Sequence, residues 1–293
     1  MLSLLFNSNN IAKLMEILAR EPLKSLSDEE KRIQVKFDNL SRFNTRSYML
    51  LVEFTVSGYI LLSFITDFRR RKLMFTAWFP FDNTSPHIFY VTYAHQILAL
   101  IICSMLHIAL DTLICGFLVQ ICCQIKILEN RLTKITNERR TIVKLCIRHH
   151  ESIYNFAATV NHKFQFIIFI QFFISTSIVC FTLYQLTKFP AFSLDLLKTV
   201  LYMGCVLTQI YLYCWYGNLV TLKSQDIVNQ IFDINWPELS VDIQKSLLIM
   251  MKRTVTPITF NCLNIVLVNL ECFVSVLKTS YSAYNILQQT QDQ

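Results

Sequence analysis

Six titratable residues stand inside long apolar runs: Glu53, Asp111, Glu271, His95, His107 and Lys278. A charge in an apolar medium is costly, so such groups face protein or water. His107 and Asp111 are one helical turn apart and can pair on one helix face. Acids beside a water-filled path favour cations, but each of these groups also suits a purely structural role inside a helix bundle. His149-His150 lies beside Arg148 and Glu151 in a basic stretch and reads as a solvated helix face, not a metal site. The ten cysteines show no metal-ligand spacing and most sit in apolar runs, which favours packed, reduced thiols. Cys122-Cys123 at the end of such a run is a candidate for palmitate. No Gly-x-Ser-x-Gly, His-Glu-x-x-His or phosphate-loop pattern occurs. The chain is therefore not expected to be an enzyme, and no cofactor or metal is expected.

The elements that must hold these groups are helices in a membrane. The chain has 293 residues, 53% of them hydrophobic, 13% aromatic and only 16% charged, with a mean hydropathy of +0.41. Soluble domains carry about 25% charged residues. Four glycines and six prolines argue against a many-turned β fold. The expected class is all-α, a multi-span helical membrane protein with five transmembrane helices. The apolar stretches are 48–66, 91–123, 164–186, 196–217 and 258–287, the last interrupted by Lys278. The second and fifth exceed the roughly 20 residues a bilayer needs, so they should tilt or protrude. Residues 1–47 form an amphipathic segment in which Ile11, Leu14, Met15 and Leu18 keep helical spacing, Pro22 breaks the pattern, and Ser27 with Glu30 signals a new helix start. Met1–Phe6 is too short for a signal peptide.

Lysines and arginines are unevenly shared between the connections. Twenty fall before the first stretch, between the second and third, or between the fourth and fifth; six fall on the opposite side. Basic loops stay cytoplasmic, which puts the N-terminus inside and the C-terminus outside. The net charge of +7 thus reads as orientation in a lipid bilayer, and no nucleic-acid partner is expected. Asn83-Thr84-Ser85 is a glycosylation sequon in a loop assigned outside, which makes Asn83 the candidate site; Asn39-Leu40-Ser41 also matches, on the inside. The outer run Trp78-Phe79-Pro80-Phe81-Asp82 fits either an interfacial aromatic belt or a lid over an apolar pocket suited to small volatile or lipophilic ligands.

The run Cys214-Trp215-Tyr216-Gly217-Asn218, continuing through Ser224, Ile227, Trp236, Gln244 and Lys245 to Leu248–Arg253 and Pro257, resembles the C-terminal region of insect odorant receptors. Val276–Tyr284 is similar to that family's final-helix motif, and Trp78–Asp82 with Tyr93, His95 and Gln96 to its outer loop. The resemblance implies a seven-helix receptor with a cytoplasmic N-terminus, of which this chain carries the equivalents of helices 3–7 and is N-terminally incomplete. The connection from Gln124 to Lys163 is short, unlike the co-receptor's, which implies a ligand-tuning subunit.

By the same resemblance the chain binds a small volatile ligand and opens a non-selective cation channel with an odorant co-receptor, as a heterotetramer, in the plasma membrane of sensory-neuron dendrites. Segments 124–163 and 218–257 become cytoplasmic anchor segments. Ile286 falls at the family's hydrophobic gate, Gln289 at a polar pore position and Ser282 on the same pore helix. The odorant pocket is expected among Phe54, Gly58, Tyr59, Leu61, Tyr90, Tyr93 and Tyr202. The alternatives are a gustatory-type receptor channel, whose final-helix signature Thr279-Ser280-Tyr281 and Gln288-Gln289 fit poorly, and a non-functional truncated receptor.

Overall fold

The computed structural model describes residues 2–66, 68, 71–75, 86–136, 140–186, 188, 190, 193–263 and 265–291. Helix α1 spans Leu2–Ala19, α2 Asp28–Thr66, α3 Pro86–Leu132, α4 Arg140–Leu186 and α5 Leu194–Phe232. A short 3-10 turn at Trp236–Glu238 precedes α6, Val241–Thr254. Strands β1 (Asn261–Cys262) and β2 (Val266–Leu267) form a small antiparallel hairpin. Helix α7 follows at Leu270–Gln291.

The helix starts follow their capping chemistry. At α2 the Ser27 hydroxyl accepts the Glu30 N–H at 3.2 Å, and Glu30 Oε2 accepts the Leu26 N–H at 2.7 Å. The reciprocal box thus closes one residue ahead of its usual place, and Asp28, Glu29 and Glu30 complement the positive helix end. The amphipathic segment and the first apolar stretch are one uninterrupted helix of 39 residues, about 58 Å long. The 47 residues of α3 reach about 70 Å, more than twice a bilayer core of about 30 Å.

The fifth apolar stretch is not one helix. Pro257 ends α6. Residues 258–260 belong to no helix and lead into the hairpin, and α7 begins only at Leu270. There the Asn269 side chain caps the helix by accepting the Cys272 N–H at 2.9 Å. By length and composition four helices, α2 to α5, can cross a membrane.

The chain divides into two compact units, each fed by stretches of α2 to α5 and α7. The first contains residues 1–43, 113–174 and 210–276; the second contains 44–112, 175–209 and 277–293.

In the first unit the end of α3 is enclosed by protein. Ile121, Cys122, Cys123, Ile125, Ile127, Leu128 and Leu132 are fully buried. That is why the second apolar stretch outruns a bilayer: its end is covered by other helices, not lipid. It also removes Cys122 and Cys123 as accessible acylation sites. All ten cysteines are free thiols. On α4 the buried stripe Val143, Cys146, His150, Ile153, Ala157, Val160 and Phe164 keeps helical period. His149 and His150 are therefore core residues with 0% and 4% exposure, and the solvated-face reading is overturned.

The buried polar centre of this unit is Arg131. Its Nε donates to Glu30 Oε1 at 2.9 Å and its Nη2 to Oε2 at 2.8 Å. The other N–H groups reach the Pro22 carbonyl at 2.8 Å, the Lys24 carbonyl at 3.0 Å and His149 Nδ1 at 3.1 Å. All five guanidinium donors are used. His149 must then accept at Nδ1, so its Nε2 carries the hydrogen that it donates to Gln124 Oε1 at 2.9 Å. Burial, then Arg131, pushes His149 down to about 3. Burial, then Arg253, pushes His150 down to about 4. Burial alone would raise the Glu30 carboxyl, but Arg131 and the Leu26 and Ser27 backbone hold it below its usual range.

Gly217 on α5 is required by packing. A Cβ there would stand 2.3 Å from the Val268 carbonyl oxygen, so any side chain would push the hairpin's exit strand off the helix.

Candidate ligand site and pore face

The second unit is organised around the inward face of α2. Tyr48, Val52, Thr55 and Tyr59 recur at helical spacing, and the face continues to Ser63. The α5 stripe Lys198, Cys205 and Gln209 meets the same elements. The Lys198 ammonium lies over the Tyr59 ring, 5.5 Å from its centre. Thr55 Oγ1 and Cys205 Sγ are 3.3 Å apart. Gln209 Nε2 donates to Asp111 Oδ1 at 2.8 Å, and Tyr48 donates to Asp111 Oδ2 at 2.9 Å. The expected His107 partner is present, with Nε2 3.4 Å from Asp111 Oδ2. Asp111 is 3% exposed, so one buried carboxylate joins α2, α3 and α5. Ser104 adds a hydrogen bond to Glu53 at 3.2 Å, and Tyr93 one to Ser63 at 3.3 Å.

At the far end of this seam stands an aromatic cluster. Met74, Phe89 and Tyr93 are buried, with Tyr59, Ile60, Phe68, Leu73, Ile97 and Leu100 packed on them. Tyr59 stacks on Phe75 with ring centres 5.7 Å apart and 12° between planes. Phe68 meets Tyr90 at 5.8 Å and Tyr93 at 5.1 Å. Gln96 fixes the chain at Phe75, accepting its N–H at 3.2 Å and donating to its carbonyl at 2.9 Å.

The structure thus gathers three of the seven expected pocket residues: Tyr59, Tyr90 and Tyr93. Tyr202 sits one turn beyond Lys198 and is half exposed. Phe54, Gly58 and Leu61 lie on the opposite face of α2. Phe54 is 69% exposed, and nothing lies within 4 Å of a Cβ at Gly58. An exposed apolar stripe on a spanning helix is the surface that lipid or another subunit covers. Asn83 and the Trp78–Asp82 run lie outside the described residues.

Sequence reasoning passed over Lys198, Gln209, Phe68 and Phe75. Gln209 and Lys198 carried a usable signal, since a polar side chain in a spanning stretch needs a partner. Phe68 and Phe75 carried none, because their placement depends on how the chain leaves α2.

The last turns of α7 present two faces. Val276 and Ser280 are buried, and the Ser280 hydroxyl donates to the Thr176 carbonyl at 3.3 Å. Ser282, Ile286 and Gln289, at i, i+4 and i+7, occupy the other face and are exposed. The three expected pore positions therefore share one surface, turned away from the helix's anchoring contacts.

Among the described residues no group of three or more His, Cys, Asp or Glu side chains is placed to hold a metal.

Several proteins similar to this chain are odorant receptors of insects. Odorant receptor 46a, isoform A, of Drosophila melanogaster is 28% identical over 216 residues, covering 71% of this chain and 57% of that receptor. Odorant receptor 94a of the same species is 26% identical over 226 residues, covering 74% and 58%. Odorant receptor Or1 of Anopheles gambiae is 23% identical over 256 residues, covering 76% and 61%. The chain thus matches less than two thirds of each of these relatives. The solved insect olfactory receptor OR5 from Machilis hrabei in complex with eugenol superposes with a TM-score of 0.85 at 18% identity, over 99% of this chain and 77% of that one. That agreement establishes the shared helical fold. The sequence profile of the 7tm odorant receptor family matches residues 1–281, and the chain belongs to that family, one of membrane receptors and not of enzymes.

Proposed function

We propose that this chain is the ligand-tuning subunit of an odorant-gated, non-selective cation channel, formed with a co-receptor subunit as a heterotetramer in the plasma membrane of sensory neurons. The observation that carries the reading is the α7 face Ser282, Ile286 and Gln289, exposed on this chain while Ser280 on the opposite side is tied down. A row ending in an apolar side chain and an amide is what a gated aqueous path requires: Ile286 dewets it when closed and Gln289 solvates ions when open.

The ligand end is the aromatic cluster around Tyr59, Tyr90 and Tyr93, with Tyr202 beside it; Phe54, Gly58 and Leu61 join it if a neighbouring helix covers their face. Small volatile molecules suit such a lining, since it offers apolar area and few polar groups. In this reading α7 is the fifth spanning helix beside α2 to α5. The surplus of basic residues in the connections puts the N-terminus in the cytoplasm and the C-terminus outside, and Asn83 carries the outer glycan.

Expression of the complete receptor with a co-receptor in oocytes tests the proposal. A cation current evoked by members of a volatile panel, absent without the co-receptor, is the expected result. Ile286→Ala should leave a standing leak before any ligand is added. A surface-expressed receptor that neither assembles with a co-receptor nor passes current overturns it.

A further inference from the structure

Two lysines of the second unit lie over tyrosine rings, and they differ in one respect. Lys188 stands 4.3 Å from the Tyr184 ring centre with its side chain exposed, the usual arrangement for a lysine reaching the membrane surface. Lys198 is covered: its side chain keeps only 15% exposure. Its ammonium lies over Tyr59, a ring whose stacking partner Phe75 belongs to the aromatic cluster. One N–H pairs with Asp195 Oδ1 at 3.1 Å, and Asp195 itself is 61% exposed. An ammonium has three donors. One is on Asp195, the Tyr59 ring face lies 5.5 Å from the nitrogen, and no other acceptor stands on the ammonium among the described residues. A covered cation with a donor to spare, at the edge of an apolar aromatic cluster, is a recognition group for an oxygen.

We propose that Lys198 is a specificity-determining residue that donates its third N–H to the oxygen of a neutral carbonyl ligand, a ketone, aldehyde or ester, whose apolar body rests against Tyr59, Tyr90 and Tyr93. This rests on reading the chain as a ligand-binding receptor subunit. Asp195 decides between a neutral and an anionic ligand. It already balances the ammonium, so a carboxylate would place a second negative charge on one covered cation. A carbonyl oxygen accepts the hydrogen bond and adds no charge. An alkane of the same shape leaves the donor unused, and a polar site discriminates most strongly against an analogue that cannot complete its hydrogen bond.

The test uses straight-chain methyl ketones, the matching alkanes and the matching carboxylates, each of five to nine carbons, on the complete receptor with its co-receptor. Current gives the half-maximal concentration, and the ligand-induced rise in melting temperature of the purified complex gives binding. The expected result is a preference for ketone over alkane of about tenfold or more in both readouts. Lys198→Met should bring the ketone down to the alkane's level, and Lys198→Arg should retain the preference. Asp195→Asn should move the preference toward the carboxylate, which loss of a merely structural lysine contact would not do. No ketone preference in the wild type, or one that survives Lys198→Met, overturns the inference. Ketone binding without current overturns the channel reading and leaves this one standing; current without ketone preference does the reverse. No binding and no current overturns both.

Discussion

Each compact unit buries an acid that ties separate helices together, Glu30 in the first and Asp111 in the second, and the two are satisfied in opposite ways. Glu30 in the first unit meets a guanidinium with both oxygens, and that guanidinium spends its remaining donors on two backbone carbonyls and a histidine. Asp111 in the second unit is held by a phenol, an amide and a histidine four residues away. The first arrangement is all-or-none, because removing either ion strands the other. The second is graded, because three separate partners share the load and each contributes a modest part.

The largest effect should come from Arg131→Leu, which leaves Glu30 buried without its cation and costs about 3–5 kcal/mol. Melting of the purified receptor and its surface yield should both fall sharply. Adding Glu30→Leu should restore most of the loss, and a double variant no better than the single would break the contrast.

Acidification comes next. The folded pKa values of His149 and His150, about 3 and about 4, lie below the unfolded value near 6.5. The unfolded chain therefore takes up more protons below pH 6.5. The histidines' contribution is complete above that pH and is lost as pH falls from 6.5 toward 3, by about 1.4 kcal/mol per pH unit for each histidine. A melting series between pH 7 and pH 5 should show the slope, and His149→Gln should flatten it relative to the wild type.

Asp111→Leu should cost less, about 1–3 kcal/mol, by taking the acceptor from the Gln209 amide and the Tyr48 hydroxyl. Asp111→Asn keeps an acceptor oxygen and should fold nearly normally. Equal damage from the two would mean that the charge, not the acceptor, is what the site uses. Tyr48→Phe is the mildest test, at about 1 kcal/mol, visible as a small shift in melting with ligand response retained.

Much of the fold was legible in the chain. Four of the five apolar stretches lie within spanning helices, and the Ser27–Glu30 signal marks the start of α2 to the residue. The Asp111–His107 pair followed from spacing alone. The last stretch was misread because hydropathy does not distinguish an apolar hairpin from a helix; Pro257 and the capping Asn269 held the correct boundary. The His149-His150 pair was misjudged by its charged neighbours, although the stripe from Val143 to Phe164 runs through it. In the aromatic cluster, the sequence offered the tyrosines but not the direction they face. Tyr59 and Leu61 differ by two positions on one helix, and only packing shows which of them faces the cluster.

The Glu30–Arg131–His149 centre also sets an order for biosynthesis. Glu30 leaves the ribosome 101 residues before Arg131 does, an interval of about 5–20 s at usual elongation rates. Throughout it the start of α2 has its cap but not its cation, and the first unit has no finished interior. The N-terminal segment must be kept soluble until α3 and the head of α4 arrive. Glu30, Asp28 and Glu29 give that segment three carboxylates that water can solvate in the interval, so the glutamate that closes the finished core begins as a hydrated one.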